Sequence, residues 1–251
     1  MLMIIISFTG ENLKMKKIIL SAITALCITL SVSAENTHAL FNKKDVNAFD
    51  RQFITSYNKK LDDISTVLSI AQLMSPSLLV IVPTFTGEYK WDKDGWINAG
   101  KLGVMYTESF VTGLALKELA KYLIERKRPY MYKDGWPLDE YKKDGEWNES
   151  FFSGHTTYAF TAASFTSYAF CKMYPESDLK IPVIASSFAL ATTVGIMRVS
   201  SGCHFVTDVL VGAAVGTISG FLVPFLQYDC LIGDNASLHA SPTNLSFSFK
   251  F

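Results

Sequence analysis

Three short clusters of polar residues stand at predicted helix ends in otherwise apolar sequence. In the first, KYLIERKRP, Lys121 and Arg128 are seven residues apart, which is two helical turns. This spacing predicts that both cations project from one helix face, and Pro129 discourages further helix. Taken alone, the cluster is also typical of a basic helix end whose long side chains cover apolar surface.

The second cluster, FFSGHTT, places Ser153, Gly154 and His155 directly before a charge-free helix. Backbone N–H groups at a helix start are unpaired and favour an anion, and the glycine lets a ligand approach closely. The alternative is plain capping of the helix by Ser153, with His155 as an ordinary polar residue.

The third cluster, RVSSGCHFVTD, contains Arg198, His204 and Asp208. The spacing of four residues places Asp208 on the helix face of His204, where a carboxylate can hold Nδ1–H and leave Nε2 free as a nucleophile or base. The alternatives are a His–Asp pair that caps the helix, and a metal site formed by His155, His204 and Asp208.

Together the clusters predict a site for a phosphoryl group. Two guanidinium groups, an ammonium group and a helix N-terminus suit a tetrahedral dianion or its trigonal transition state. The same cations, Lys121, Arg128 and Arg198, would repel a metal ion. One histidine backed by a carboxylate and a second free histidine supply a nucleophile and a general acid. We therefore predict phosphate-ester chemistry without a metal.

These clusters resemble the three signature motifs of the type 2 phosphatidic acid phosphatase superfamily, which includes lipid phosphate phosphatases, class A acid phosphatases, glucose-6-phosphatase and vanadium haloperoxidases. The order matches: Lys, six residues, Arg-Pro; then Ser-Gly-His; then Arg, five residues, His, three residues, Asp. The resemblance covers about residues 99–228. Phe152 stands where the family usually has Pro before Ser-Gly-His, and Met197 stands where it commonly has Ser before the arginine. Neither difference alters a residue to which the resemblance gives a catalytic or binding role.

The resemblance implies that His204 attacks phosphorus to give a phosphohistidine, that Asp208 orients His204, and that His155 protonates the leaving oxygen and then activates water. It implies five groups that hold the phosphoryl oxygens: Lys121, Arg128, Ser153, the Gly154 N–H and Arg198. No cofactor is implied, and vanadate is expected to inhibit. The expected partner is a phosphorylated lipid or a small phosphoester.

Charge is unevenly distributed along the 251 residues, since only six charged residues lie between Phe152 and Gln227. A formal net charge of zero gives no reason to propose a nucleic-acid partner, and 49 % hydrophobic residues exclude disorder. Five apolar segments have lengths that fit membrane spans or buried bundle helices. They are Ile64–Pro83, Ala99–Ile124, Phe152–Cys171, Ile181–Met197 and Val209–Tyr228.

The amino-terminal sequence predicts a targeting segment. Lys16 and Lys17 precede an apolar run that ends in small residues at Ala34, the order typical of a secretory signal. The run is nearly long enough to span a membrane, so an uncleaved anchor is the alternative. Met15, directly before the lysines, is an alternative start to Met1.

We predict an all-α fold, a membrane-spanning bundle of about six helices with the active site at one end. Residues 1–34 form the signal or anchor, 35–63 a polar segment, 64–228 the phosphatase domain with its motif core at 99–228, and 229–251 a carboxyl-terminal tail. The tail alternates polar and apolar residues as a strand does, although an exposed or disordered tail is favoured over a barrel strand.

The predicted function is metal-independent hydrolysis of a phosphomonoester or pyrophosphate, of a lipid, on the external face of the membrane. Six spans would place all three motifs opposite Lys16, although the distribution of Lys and Arg does not follow the positive-inside rule. The alternatives are a soluble periplasmic acid phosphatase, a vanadate-dependent haloperoxidase and a non-enzymatic transporter. A soluble bundle remains open because buried core helices resemble spans in sequence.

Overall fold

The computed structural model describes residues 41–133, 146–227, 236–241 and 244–249. The predicted signal or anchor at residues 1–34 lies outside these ranges. Residues 41–227 belong to one compact unit and the carboxyl-terminal strands to another.

The first unit is helical, which confirms the predicted fold class. Short 3-10 turns lie at Lys43–Asp45, Ser75–Ser77 and Pro129–Tyr132. The α-helices are α1 (Ala48–Arg51), α2 (Lys59–Leu73), α3 (Leu78–Thr86), α4 (Lys93–Leu123), α5 (Gly154–Met173), α6 (Lys180–Ser200) and α7 (Val206–Phe225).

Local sequence explains several helix boundaries. The side chains of Asn58 and Asp92 accept hydrogen bonds from Leu61 N and Gly95 N, which caps the starts of α2 and α4. Gly87, with φ of 78°, ends α3 in the left-handed conformation that glycine adopts without steric cost.

Helix α5 lies at the centre of the bundle, where it packs along α7 and α6 and also contacts α4 and α2. Several of its hydroxyl groups bond within the helix: Thr157 Oγ1 donates to Ser153 O at 2.8 Å and Thr161 Oγ1 to Thr157 O at 2.9 Å. The many Ser and Thr residues of this uncharged segment therefore lie inside the protein, where they need no water.

Three glycines on α7 allow it to approach α5 closely. A Cβ atom on Gly212 would lie 2.7 Å from the carbonyl oxygen of Ser153, and one on Gly216 would lie 2.3 Å from that of Thr157. One on Gly220 would lie 2.2 Å from the carbonyl oxygen of Thr161. Since no real Cβ atom tolerates such distances, these glycines set the separation of the two helices that carry most of the site.

Within the described ranges, three helical segments are long and apolar enough to cross a membrane: Lys59–Thr86, Lys180–Ser200 and Val206–Phe225. Their outer faces are apolar, since Val67, Ile181 and Ile218 are 65, 78 and 58 % exposed. The predicted spans at Ala99–Ile124 and Phe152–Cys171 form helices that are not among these candidates, because α4 carries charged residues and α5 is rich in Ser and Thr.

The carboxyl-terminal unit contains an antiparallel pair of strands, β1 (Ala236–Ser241) and β2 (Asn244–Phe249), with Ala236 opposite Phe249 and Ser241 opposite Asn244. The favoured expectation of a disordered tail does not hold for residues 244–249, which form a strand paired with residues 236–241.

Candidate active site

The three motifs meet at one end of the bundle. The backbone N–H of Ser153, at the start of α5, donates to the carbonyl oxygen of Asp208 in the first turn of α7 at 3.2 Å. Gly202 turns the chain between α6 and α7 with φ of 74°, and its carbonyl oxygen accepts from Tyr130 N at 3.2 Å. The predicted location of the site at one bundle end is confirmed.

Arg128 does not lie on a helix face shared with Lys121, so this detail of the prediction is wrong. Helix α4 ends at Leu123, and Ile124 is already extended. Pro129 disfavours helical backbone at the residue before it, and Arg128 has φ of −72° and ψ of 153°. Arg128 N instead donates to Trp147 O at 2.8 Å, next to an isolated parallel bridge between Arg126 and Glu149.

His204 and Asp208 lie close together without a direct hydrogen bond. His204 Nδ1 is 3.9 Å from Asp208 Oδ2 but only 2.8 Å from the backbone carbonyl oxygen of Ser150, to which it donates. The carbonyl group therefore fixes the tautomer that leaves Nε2 unprotonated, a task that the sequence had assigned to Asp208.

Ser150 contacts both His204 and Asp208, and the sequence did not predict a role for it. Its Oγ donates to Asp208 Oδ2 at 2.6 Å, and the same carboxylate oxygen accepts from Phe205 N at 2.9 Å. Ser150, Asp208 and His204 are 0, 0 and 3 % exposed. No motif marks Ser150, because its position depends on the backbone pairing between residues 126–128 and 146–150.

The environment of His204 favours the neutral imidazole. Burial lowers the pKa of His204 well below 6.5, and the positive charges of Arg128 and Arg198 lower it further, against the hydrogen bond to Ser150. A neutral imidazole with Nδ1 protonated is the form in which Nε2 has a free electron pair. His204 is therefore prepared to act as a nucleophile or base.

Two of the predicted phosphate-binding cations contact carboxylates from residues 146–149. Lys121 Nζ lies 3.2 Å from Glu149 Oε2, and Arg128 Nη2 donates to Glu146 Oε2 at 2.7 Å. Arg128 Nε also donates to the carbonyl oxygen of Glu146 at 2.8 Å. Glu146 and Glu149 are 65 and 41 % exposed, whereas Arg128 is buried.

The third cation, Arg198, is 2 % exposed and comes from the last turn of α6. Its Nη1 donates to Asp62 and, at 3.2 Å, to Ser65 Oγ, both on α2. Within the described part of the chain its Nε is buried without a hydrogen-bond partner. A buried guanidinium N–H that lacks an acceptor favours an anionic ligand beside it.

The second motif combines a cap with a partly accessible histidine. Ser153 caps α5, since its Oγ accepts from Thr156 N at 3.5 Å and lies 2.9 Å from Thr156 Oγ1. His155 Nε2 lies 3.2 Å from Thr66 Oγ1 on α2. The capping role considered for Ser153 is thus present, and a role in phosphate binding stays a prediction.

Within the described ranges, no three His, Cys, Asp or Glu side chains gather in a group that could hold a metal ion. The site instead combines buried positive charge with a neutral imidazole and a carboxylate. This arrangement suits attack on an anionic electrophile, with the cations stabilising its oxygens.

The chain folds as a helical bundle with candidate membrane spans, and comparison with known proteins gives its family. The sequence profile of the PAP2 superfamily matches residues 102–230. The chain therefore belongs to the PAP2 superfamily, as its motifs predicted.

Phosphatidylglycerophosphatase B of Bacillus subtilis (strain 168) is 37 % identical over 122 residues, which are 48 % of this chain and 56 % of that protein. The match thus spans little more than half the length of this relative. The predicted class, a phosphoric ester hydrolase of PAP2 type, agrees with it.

The crystal structure of a transmembrane PAP2-type phosphatidylglycerolphosphate phosphatase from Bacillus subtilis is similar, with a TM-score of 0.53 and 27 % identity. The similarity covers 84 % of this chain and 96 % of that one. LpxE of Aquifex aeolicus is a weaker match, with a TM-score of 0.43 and 23 % identity over 70 % of this chain and 92 % of that one. With its candidate spans, the chain is a membrane protein of the transmembrane PAP2 type.

Proposed function

We propose that the protein hydrolyses a lipid phosphomonoester or pyrophosphate, without a metal, through a phosphohistidine at His204. The observation that carries this proposal is the buried neutral imidazole of His204. Its Nδ1 donates a hydrogen bond to the Ser150 carbonyl oxygen, and the positive charges of Arg128 and Arg198 help to lower its pKa. Phosphatidylglycerophosphate is the first substrate to test, because similar proteins carry that name.

In the first step, Nε2 of His204 attacks phosphorus, the N–P bond forms and the bond from phosphorus to the leaving oxygen breaks. The resulting phosphoimidazolium is cationic with Nδ1 still protonated, and the nearby carboxylate of Asp208 stabilises that charge. His155, which takes up a proton when the phosphoryl dianion binds beside Arg198, donates it to the leaving oxygen. Lys121, Arg128 and Arg198 stabilise the phosphoryl oxygens as negative charge builds on them.

In the second step, His155 removes a proton from water, and the hydroxide oxygen attacks phosphorus. The N–P bond breaks, inorganic phosphate leaves and His204 returns to the neutral form. Each histidine thus acts in both steps, and the net reaction consumes one water molecule.

The membrane location supports a lipid substrate over a soluble phosphoester. A lipid headgroup would reach the site from the bilayer surface, since α7 is a candidate span and carries Asp208 in its first turn. We propose that this end faces the cell exterior or periplasm, as the predicted targeting segment indicates.

Release of inorganic phosphate tests the function. The purified protein in detergent is given phosphatidylglycerophosphate, phosphatidic acid, undecaprenyl pyrophosphate, a lipid A phosphate and a soluble aryl phosphate, each with EDTA. We expect hydrolysis of at least one lipid, inhibition by vanadate and no activity in His204→Ala. A strict requirement for added metal, or faster hydrolysis of the soluble ester than of every lipid, would reject the proposal.

A further inference from the structure

Arg126 bridges two buried carboxylates that lie far apart in sequence. Its Nη1 donates to Asp208 and, at 2.8 Å, to Thr207 Oγ1, while its Nη2 donates to Asp50 Oδ2 at 2.7 Å. The guanidinium carbon also lies 4.3 Å from the ring centroid of Phe205. Arg126 is an unassigned position inside the first motif, and Asp50 precedes all three motifs.

Asp50 is placed in this bridge by several independent contacts. Thr207 donates to it through both its backbone N, at 3.1 Å, and its Oγ1, at 2.5 Å. Asn47 Nδ2 donates at 2.6 Å, and Asn47 Oδ1 accepts from Asp50 N at 2.9 Å. Asp50 is 0 % exposed, so the short helix α1 delivers a carboxylate into the protein beside the first turn of α7.

Asp50 is held as a carboxylate. Burial alone would raise its pKa, but the hydrogen bonds from Thr207, Asn47 and Arg126 outweigh burial and hold the pKa below 3.8. Asp50, Arg126 and Asp208 then carry two negative charges and one positive charge, which gives this group of three a net negative charge that offsets part of the positive charge of Arg128 and Arg198 at His204. Such a charge stabilises a cationic phosphoimidazolium more than the neutral imidazole.

We infer that Asp50 is a positioning residue for the reaction, which acts through Arg126 to fix and charge-balance the catalytic carboxylate of Asp208. This inference rests on the proposed phosphatase function. It gives the amino-terminal segment before α2 a specific task in catalysis, since the segment completes a chain of contacts from Asp50 through Arg126 and Asp208 to Ser150 and His204.

The contacts predict an effect on turnover rather than on phosphate binding. Asp50 has no described contact with Lys121, Arg128 or Arg198, which are proposed to hold the phosphoryl oxygens. Removing its charge therefore leaves phosphate affinity unchanged but weakens the stabilisation of positive charge at His204. A purely structural role would instead lower kcat and phosphate affinity together as the site loosens.

The test compares Asp50→Asn with wild type on the best lipid substrate from the panel, and inorganic phosphate serves as a competitive inhibitor. We expect kcat to fall by about tenfold, as for other residues that orient a catalytic group. KM and the inhibition constant of phosphate should stay within about twofold. Asp45→Asn, an exposed carboxylate on the same segment, should match wild type.

A double-variant cycle with Arg126→Lys tests whether Asp50 acts through Arg126. Lysine keeps the charge but cannot hold two carboxylates in the fork geometry of arginine. We expect Asp50→Asn to lower kcat much less in this background than in wild type. Equal losses in both backgrounds, or parallel losses of kcat and phosphate affinity, would overturn the inference.

Thermal unfolding in detergent shows whether each variant folds. If Asp50→Asn does not fold, Asn47→Ala replaces it in the test, because Asn47 is exposed and its side chain hydrogen-bonds to Asp50. For Asn47→Ala we expect a smaller fall in kcat at constant KM. An unchanged kcat would reject the inference. An inactive wild-type protein would reject the proposed function. An active wild type with a fully active Asp50→Asn variant would reject the positioning role alone.

Discussion

Nδ1 of His204 donates a hydrogen bond to the backbone carbonyl oxygen of Ser150 at 2.8 Å, across 54 residues of sequence. The Oγ of the same serine donates to Asp208 at 2.6 Å. One residue thus orients the proposed nucleophile with its backbone and the proposed carboxylate with its side chain. The two interactions can be separated, because a substitution removes the hydroxyl group and leaves the carbonyl group.

Replacing Ser150 with alanine should reduce turnover without abolishing it. Asp208 would lose a buried hydrogen bond, worth about 1.5–3 kcal/mol when the acceptor is charged, and would become less well oriented. We expect lower kcat at nearly constant KM in phosphate-release assays. Ser186→Ala, at an exposed position on α6, is the control. Activity equal to wild type in Ser150→Ala would show that this hydroxyl group does not position Asp208.

Replacing Glu149 with glutamine should strengthen phosphate binding. The Glu149 carboxylate lies 3.2 Å from Lys121 Nζ and competes with a phosphoryl group for the same ammonium group. Because Glu149 is 41 % exposed, the expected effect is modest, with about a two- to fivefold lower inhibition constant for inorganic phosphate.

The matched control is Glu176→Gln, an exposed carboxylate in the turn between α5 and α6. It should leave the inhibition constant of phosphate at the wild-type value. If Glu149→Gln weakens phosphate binding, Glu149 aligns Lys121 rather than competing for it.

Acid should destabilise the protein through His204. Its pKa is lowered in the folded state, chiefly by burial, so the unfolded chain takes up the proton first as pH falls below 6.5. This contribution to stability is complete above pH 6.5 and is lost progressively below it. Between pH 7.5 and 5.5 the loss amounts to about 1 kcal/mol.

Thermal unfolding in detergent at the two pH values measures this effect. The decrease in melting temperature on acidification should be smaller in His204→Gln, which has no imidazole to protonate. An equal decrease in both proteins would mean that His204 is not buried in its neutral form.

Substitution of Gly216 should separate α5 from α7. A Cβ atom there would lie 2.3 Å from the carbonyl oxygen of Thr157, which is backbone and cannot rotate away. We expect Gly216→Ala to lower the free energy of unfolding by about 1–3 kcal/mol and to reduce activity. Gly103→Ala on α4, where nothing lies within 4 Å, should be neutral or slightly stabilising. Unchanged stability in Gly216→Ala would contradict the close helix contact.

The helical fold and the clustering of the motifs could be predicted because both depend on local pattern. Uncharged runs of helical length specify α6 and α7, and the spacing from Arg198 to Asp208 places one motif across the turn between them. The hydroxyl-rich α5 was harder to interpret, since the same composition occurs in membrane spans and in helices buried within a protein. Its contacts with α7, α6, α4 and α2 show that it lies at the centre of the bundle.

The contacts around Asp208 could not be predicted, because they depend on long-range backbone pairing. Ser150 reaches His204 through a parallel bridge between residues 126 and 149, and no periodicity marks that pairing. The Asp50–Arg126 ion pair joins residues 76 positions apart. Arg128 lies outside α4, which ends at Leu123, and Pro129 accounts only for the extended backbone of Arg128 itself.

Identification of the phosphorylated residue tests the central claim most directly. The wild-type protein is mixed briefly with phosphatidylglycerophosphate labelled with ³²P in its terminal phosphate, quenched in alkali, digested and analysed by mass spectrometry. The account predicts an alkali-stable, acid-labile phosphoryl group on His204, which accumulates in His155→Ala and is absent from His204→Ala. Phosphate release by the wild type with no labelled His204 peptide, or label on another residue, would contradict it.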